Sequence, residues 1–160
     1  MIHDRLEDFV AALAPARGLA GLDLGEKTIG VAVTDRGLTV ATPLETIRRR
    51  KFGTDASRLI DIITQRDLAG IVIGLPRNMD GTEGPRAQSS RAFARNLARL
   101  TDLPITFWDE RLSTVAAERA LLEADASRRK RAAVIDHVAA GYILQGVLDR
   151  IVHLEAGHDR

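Results

Sequence analysis

A chain of 160 residues, 45% hydrophobic and 28% charged, has the make-up of one globular domain with a sizeable core. Its formal net charge of +1 gives no overall field for attracting a polyanion, so any nucleic-acid surface must come from local clustering of cations. With no cysteine, disulfides, thiolate metal sites and thiol catalysis are excluded; the four histidines form no spaced metal motif, and no run is apolar enough to span a membrane.

In chain order, residues 1–18 read as an N-terminal extension. Leu6, Phe9, Val10 and Leu13 recur at helical spacing, which predicts a short amphipathic helix ending near Pro15 and packed on the domain surface. Asp4, Glu7 and Asp8 are incompatible with a signal peptide, so a cytoplasmic address is expected by default. Leu19 to Asp35, LAGLDLGEKTIGVAVTD, then predicts a strand, a glycine-flanked turn and a returning strand. Alternation puts Leu22 and Leu24 on one face and Asp23 on the other. An ionised carboxylate on a buried strand is costly unless paired. A metal ion, or a phosphate-bearing ligand with its cation, would pair it; a loop amide or Lys27 is the structural alternative. The glycines around Asp23 are expected to leave room for a substrate backbone.

Asp35-Arg36-Gly37 marks a tight turn, and Leu38–Ile47 predicts a third strand completing an antiparallel meander. Arg48, Arg49, Arg50 and Lys51 follow, either as a solvated loop or as a contact for a phosphate backbone. Thr54–Asp67 predicts a helix with Ala56, Leu59, Ile60 and Ile63 on its buried face and Thr54 or Asp55 as cap. Ile71–Leu75 is a short apolar run of the buried, parallel type. The loop after it carries Asn78, Asp80, Thr82 and Glu83 where α/β folds place ligand groups. Pro85–Leu100 predicts a helix with a buried stripe of Phe93, Leu97 and Leu100. Arg91, Arg95 and Arg99 form a second stripe, a solvated face or a phosphate-tracking one.

Pro104–Glu110 predicts a fifth strand ending in Asp109 and Glu110, which alternation places on opposite faces without choosing between them. Ser113 or Thr114 can cap a helix running to about Ala124. The basic segment Ser127–Arg131 is expected to be a loop, with Arg129 and Lys130 available to nucleic-acid backbone. Ala132–Ile151 predicts a helix apolar on nearly every face. Asp136 lies early in it, where an acid can also simply complement the helix dipole. His137 reads as a surface or packing histidine, with a proton carrier as the alternative. Acids on three separate elements supply hard oxygen ligands suited to Mg²⁺ or Mn²⁺. Two such ions can activate a water and stabilise the leaving oxygen of a phosphodiester.

The segments GLDLGEKTIGVAVTD, IVIGLPRNMDGTEG, DERLST and IDHVAAGYILQ, in that order, resemble the YqgF family, also called the RuvX family. The resemblance covers residues 19 to 150. It implies an α/β domain of the RNase H-like fold, with a mixed five-stranded sheet in the order 3-2-1-4-5 flanked by helices. The expected division is an extension at 1–18, a nuclease domain at 19–153 and a tail at 154–160. The resemblance further implies a nuclease that depends on Mg²⁺ or Mn²⁺ and matures pre-16S ribosomal RNA, with Asp23, Glu110 and Asp136 as the acidic triad. Lys27, Asn78 and Arg111 match further family positions and are expected to organise the substrate or the site. A Holliday-junction-resolvase-like DNA endonuclease and a non-catalytic RNA-binding assembly factor are the alternatives. Both a monomer and a homodimer are compatible with the sequence. An actin- or hexokinase-type ATPase shares the first hairpin pattern but needs a second such domain, for which the chain is too short.

Overall fold

The computed structural model describes residues 1–112 and 128–158, with side chains described except at 128–136, 157 and 158. Strands β2 (Leu19–Leu24) and β3 (Thr28–Thr34) form an antiparallel hairpin, and β4 (Ala41–Arg48) pairs antiparallel with β3. Strand β5 (Gly70–Leu75) runs parallel beside β2, and β6 (Ile105–Asp109) parallel beside β5. These five strands keep the expected order. The sheet nevertheless has six strands, in the order β1-β6-β5-β2-β3-β4. The additional strand, β1 (Ile2–His3), comes from the N-terminal extension and runs parallel along the edge of β6. Two residues carry too little periodicity to read as a strand; the open edge of β6 is what recruits them.

One face of the sheet is covered by α2 (Phe52–Arg66) and α3 (Pro85–Ala98). Ala20, Leu22, Leu24, Ile29, Val31, Ile71 and Ile73 meet Leu59, Ile62, Phe93 and Leu97 there. Ile62, rather than Ile60, completes the buried stripe of α2. Its first turn is served from inside: Asp55, 3% exposed, accepts the Arg50 N–H at 3.1 and 3.2 Å. Strand β4 starts three residues later than expected because the Asp35 carboxylate binds the backbone N–H groups of Thr39 and Val40 at 2.8 and 2.9 Å, folding them into the turn. Leu100 lies beyond the end of α3 and is exposed, so it is not part of that helix's buried stripe.

The opposite face is covered by α1 (Leu6–Ala11) and the long α4 (Arg128–His158). Phe9 is fully buried against the β5 backbone at Gly70. Helix α4 lies very close to the sheet. A Cβ at Gly21 would stand 2.9 Å from Leu144 Cβ, and one at Gly146 would stand 2.9 Å from the Trp108 ring. The space beside Gly21 is therefore filled by α4 and not left for a substrate, as had been expected of that glycine. Residues 128–131 form the first turn of α4 and not a loop. Neither Gly nor Pro interrupts the sequence there, and Arg, Lys and Ala are strong helix formers. The helix expected between Ser113 and Ala124 lies outside the described residues. Among the described residues no helix is long and apolar enough to cross a membrane.

Candidate active site

Asp23 occupies the last turn-ward position but one of β2 and is 3% exposed. Its Cα partner on β3 is Gly30. On the other side, the ladder that pairs Leu22 with Ile73 brings Gly74 of β5 alongside it. Gly74 in turn pairs with Trp108 of β6. Glu110 follows Trp108 by two residues and so points to the same face, at the head of a short 3₁₀ turn (Glu110–Leu112). Its Oε1 lies 2.8 Å from the place a Cβ on Gly74 would take. Neighbouring strands are about 5 Å apart, so the Glu110 carboxylate lies over the strand next to Asp23, on the face toward α4. Alternation leaves Asp109 on the other side, where it accepts hydrogen bonds from Arg111 at 2.6 and 3.1 Å. Those bonds hold the Asp109 carboxyl below its usual range and raise the Arg111 guanidinium.

Helix α4 runs back across the sheet. Near its middle, Gln145 Oε1 accepts the Ala41 N–H at 3.0 Å at the start of β4. Eight residues earlier, His137 Nδ1 is 2.9 Å from Thr46 Oγ1 near the end of β4. Because β4 runs in the same direction as β2, the turn of α4 holding Asp136 crosses the end of the sheet at which Asp23 lies. Asp136 stands one helical turn before Ala140, whose carbonyl oxygen is 3.2 Å from the Cβ position of Gly21. Its side chain lies outside the described residues. Among the described residues no group of three or more Asp, Glu or His is disposed to hold a metal ion. The two described acids offer hard oxygen donors, which fit Mg²⁺ or Mn²⁺ and not a softer ion.

The other residues singled out in the sequence are dispersed around this end of the sheet. Lys27 is exposed in the β2–β3 turn and lines a cleft on the face away from Asp23. Asn78 donates through Nδ2 to Thr82 Oγ1 at 3.0 Å, closing the loop after β5, and Asp80 Oδ1 accepts from the Thr82 hydroxyl at 2.6 Å. The Thr82 bonds keep the Asp80 carboxyl below its ordinary value. Arg111 reaches that loop at the Met79 carbonyl, 3.4 Å away, and so braces it against the segment bearing Glu110. Arg129 and Lys130 lie in the first turn of α4, with side chains outside the described residues.

Arg91 does not belong to a free cationic stripe. It holds Glu83 with two hydrogen bonds, at 2.5 and 2.8 Å, and stacks 4.9 Å from the centre of the Phe107 ring. Those bonds hold Glu83 below the usual carboxylate range. Gly74 and Arg86 escaped the sequence reading. Only the register of β5 against β6 shows that a glycine makes space for Glu110, and only the packing of α3 brings Arg86 toward Lys27.

An antiparallel hairpin and third strand, two parallel strands beside them, and acids at the carboxyl end of the first strand and just past the last define an RNase H-like α/β domain. Known structures agree: the RuvC of Thermus thermophilus, solved with a Holliday junction substrate, matches with a TM-score of 0.52 at 13% identity, over 84% of this chain and 96% of that one. A protein of Ruegeria sp. (strain TM1040), named "Putative pre-16S rRNA nuclease", is 72% identical over 98% of this chain and 99% of its own length. One of the same name from Rhodobacter capsulatus is 65% identical over 99% of both. The family model described as "RuvX: Holliday junction resolvase" matches residues 17–150. The chain belongs to the RuvX family.

Proposed function

We propose that this protein is a metal-dependent nuclease that hydrolyses phosphodiester bonds in the precursor of 16S ribosomal RNA, with Asp23, Glu110 and Asp136 as its acidic triad. The observation that carries the reading is the Glu110 carboxylate seated over Gly74, beside the buried Asp23. Two carboxylates brought this close repel one another when ionised, and a divalent cation between them would favour the charged form of both. The names of the Ruegeria and Rhodobacter relatives support the choice of substrate. A cytoplasmic location follows from that substrate.

Asp23 and Glu110 would hold a Mg²⁺ or Mn²⁺ ion, with Asp136 as the third ligand. Such an ion supplies a polarised water and neutralises charge on the phosphate. The chain's own part is positional. Asp23 is fixed on an inner strand of the sheet, between β3 and β5, and is itself paired with Gly30 of β3. Glu110 is held by the packing of Ile143 against Gly74 and by the Arg111 brace on the following turn. Rigid placement of this kind is what catalytic acids need.

The test is Asp23→Asn in the full chain, assayed on a precursor RNA fragment with Mg²⁺ or Mn²⁺. The variant should fold, and cleavage should fall by more than ~100-fold, the scale on which one missing electrostatic stabiliser acts. Cleavage at the wild-type rate by the folded variant refutes the site. The family description favours one second reading, a four-way DNA junction as substrate. A junction cut while the ribosomal precursor is left intact would select it. Tight RNA binding with no metal-dependent cutting would instead select an assembly factor.

A further inference from the structure

On the face of the sheet away from Asp23 there is an open cleft of about 1000 Å³. It is built from the β2–β3 turn, the segment joining β4 to α2, and the start of α3. Lys27, Arg48, Arg49, Arg50 and Arg86 line it, against a single acid, Glu26. In a chain whose net charge is only +1, this is a strong local concentration of positive charge. None of the five cations is in an ion pair among the described residues, whereas Arg58, Arg77, Arg91 and Arg111 all are.

The cleft is also ordered. Arg49 donates through Nη1 to the Gly25 carbonyl at 2.7 Å, its N–H binds the Lys27 carbonyl at 2.8 Å, and its guanidinium lies 5.6 Å from the centre of the Phe93 ring. The β2–β3 turn is thereby tied to the β4–α2 segment and to α3. The Asp55 carboxylate fixes the neighbouring Arg50 backbone. Helix α3 enters from Gly84 with no side-chain cap and no acid in its first turn, so its positive end faces the same space. Leu24 lines the cleft, while Asp23, the residue before it, faces the other side. The cleft therefore begins one residue from the candidate active site, around the end of β2.

We propose that this cleft is a backbone-binding site for a nucleic-acid strand, in which Lys27, Arg48, Arg50 and Arg86 contact successive phosphates of the strand that crosses the end of β2 to reach Asp23. The inference rests on the nuclease reading for its direction but not for its test. Arg49 serves as the positioning residue that holds the walls together. Contacts to phosphate alone carry no sequence information, so the cleft fixes register and orientation.

The experiment is the affinity of the full chain for a short single-stranded RNA in EDTA, where metal-dependent cutting is suppressed, across a salt series. The variant Arg48→Ala/Arg50→Ala/Arg86→Ala changes only exposed side chains and should fold. Its binding should weaken, and the slope of log affinity against log salt should flatten by about 2, at ~0.7 per lost single-strand phosphate contact. A control, Arg66→Ala/Arg95→Ala/Arg99→Ala, removes the same charge from the far ends of α2 and α3 and should leave the slope within error. An unchanged slope in the cleft variant overturns the proposal. So does equal flattening in the control, which would mean diffuse attraction only, or an absence of binding by the wild type. Asp23→Asn should bind RNA with the wild-type slope, so loss of cutting and loss of the cleft are read separately.

Discussion

Gly74→Ala perturbs a position where packing and the candidate chemistry meet. The added Cβ would stand 2.5 Å from Ile143 Cδ1 and 2.8 Å from Glu110 Oε1. Both distances are well inside van der Waals contact, so something must move. Ile143 is fully buried between α4 and the sheet, so moving its Cδ1 aside disturbs the packing around it. Overpacking of one methyl at such a site costs about 1–3 kcal/mol. For a chain of this length each kcal/mol lowers Tm by roughly 2–4 °C. The second contact pushes the Glu110 carboxylate off its seat, so cleavage should also fall. Ile143→Val separates the two effects, because it removes the Cδ1 atom while leaving Glu110 alone. In Gly74→Ala/Ile143→Val most of the lost Tm should return, while cleavage with Mg²⁺ stays low. Thermal unfolding and single-turnover cutting, measured on the same preparations, read the two quantities. A double variant that cuts at the wild-type rate would refute the argument that Glu110 must sit over Gly74. A Gly74→Ala variant as stable as the wild type would refute the packing itself.

Phe9→Ala should cost about 3–5 kcal/mol in chemical denaturation, because the ring is fully buried under β5 and not laid on a surface. Less than ~1 kcal/mol would show that residues 1–18 are dispensable to the core. Asp55→Ala removes the buried carboxylate that accepts the Arg50 N–H and should destabilise by about 1–3 kcal/mol, with the cleft's affinity for RNA falling as the β4–α2 segment loosens. Asp35 is held at about 2, below its ordinary 3.8, chiefly by the Thr39 hydroxyl and then by the Val40 and Thr39 amides. A carboxyl lowered on folding stabilises above its unfolded pKa and loses that contribution as pH falls through the folded value. Asp35→Asn should therefore be less stable than the wild type near neutral pH, and the difference should vanish between about 4 and about 2. A difference independent of pH would mean that the charge on Asp35 does not matter.

What the sequence determined by itself is local and periodic. The alternation through Leu22, Asp23 and Leu24 dictated that the acid faces away from the leucines, and the structure keeps them on opposite faces. The turn at Asp35, the amphipathic α2 and the buried β5 followed from side-chain chemistry within a few residues of each. The order of four motifs was enough to identify the RuvX family, and with it the sheet order of the five main strands. Helix α4 needs only uninterrupted helix formers, although the cluster of like charges in its first turn resembles a loop in sequence.

Register between distant strands and the approach of one layer to another were decided only in three dimensions. Alternation left Asp109 and Glu110 equivalent, since both lie at a strand end. The pairing of Gly74 with Trp108 separates them, because it opens a space that only the Glu110 side reaches. The small residue at Gly21 signalled closeness but not to what; Leu144, more than a hundred residues away, fills the place. Arg91 and Arg86 are neighbours on one helix, yet Arg91 is spent on Glu83 and Phe107 while Arg86 faces the cleft. Charge and hydrophobicity are written residue by residue in the chain. Which groups cancel one another, and which are left to meet a ligand, depends on contacts between segments that no local pattern specifies.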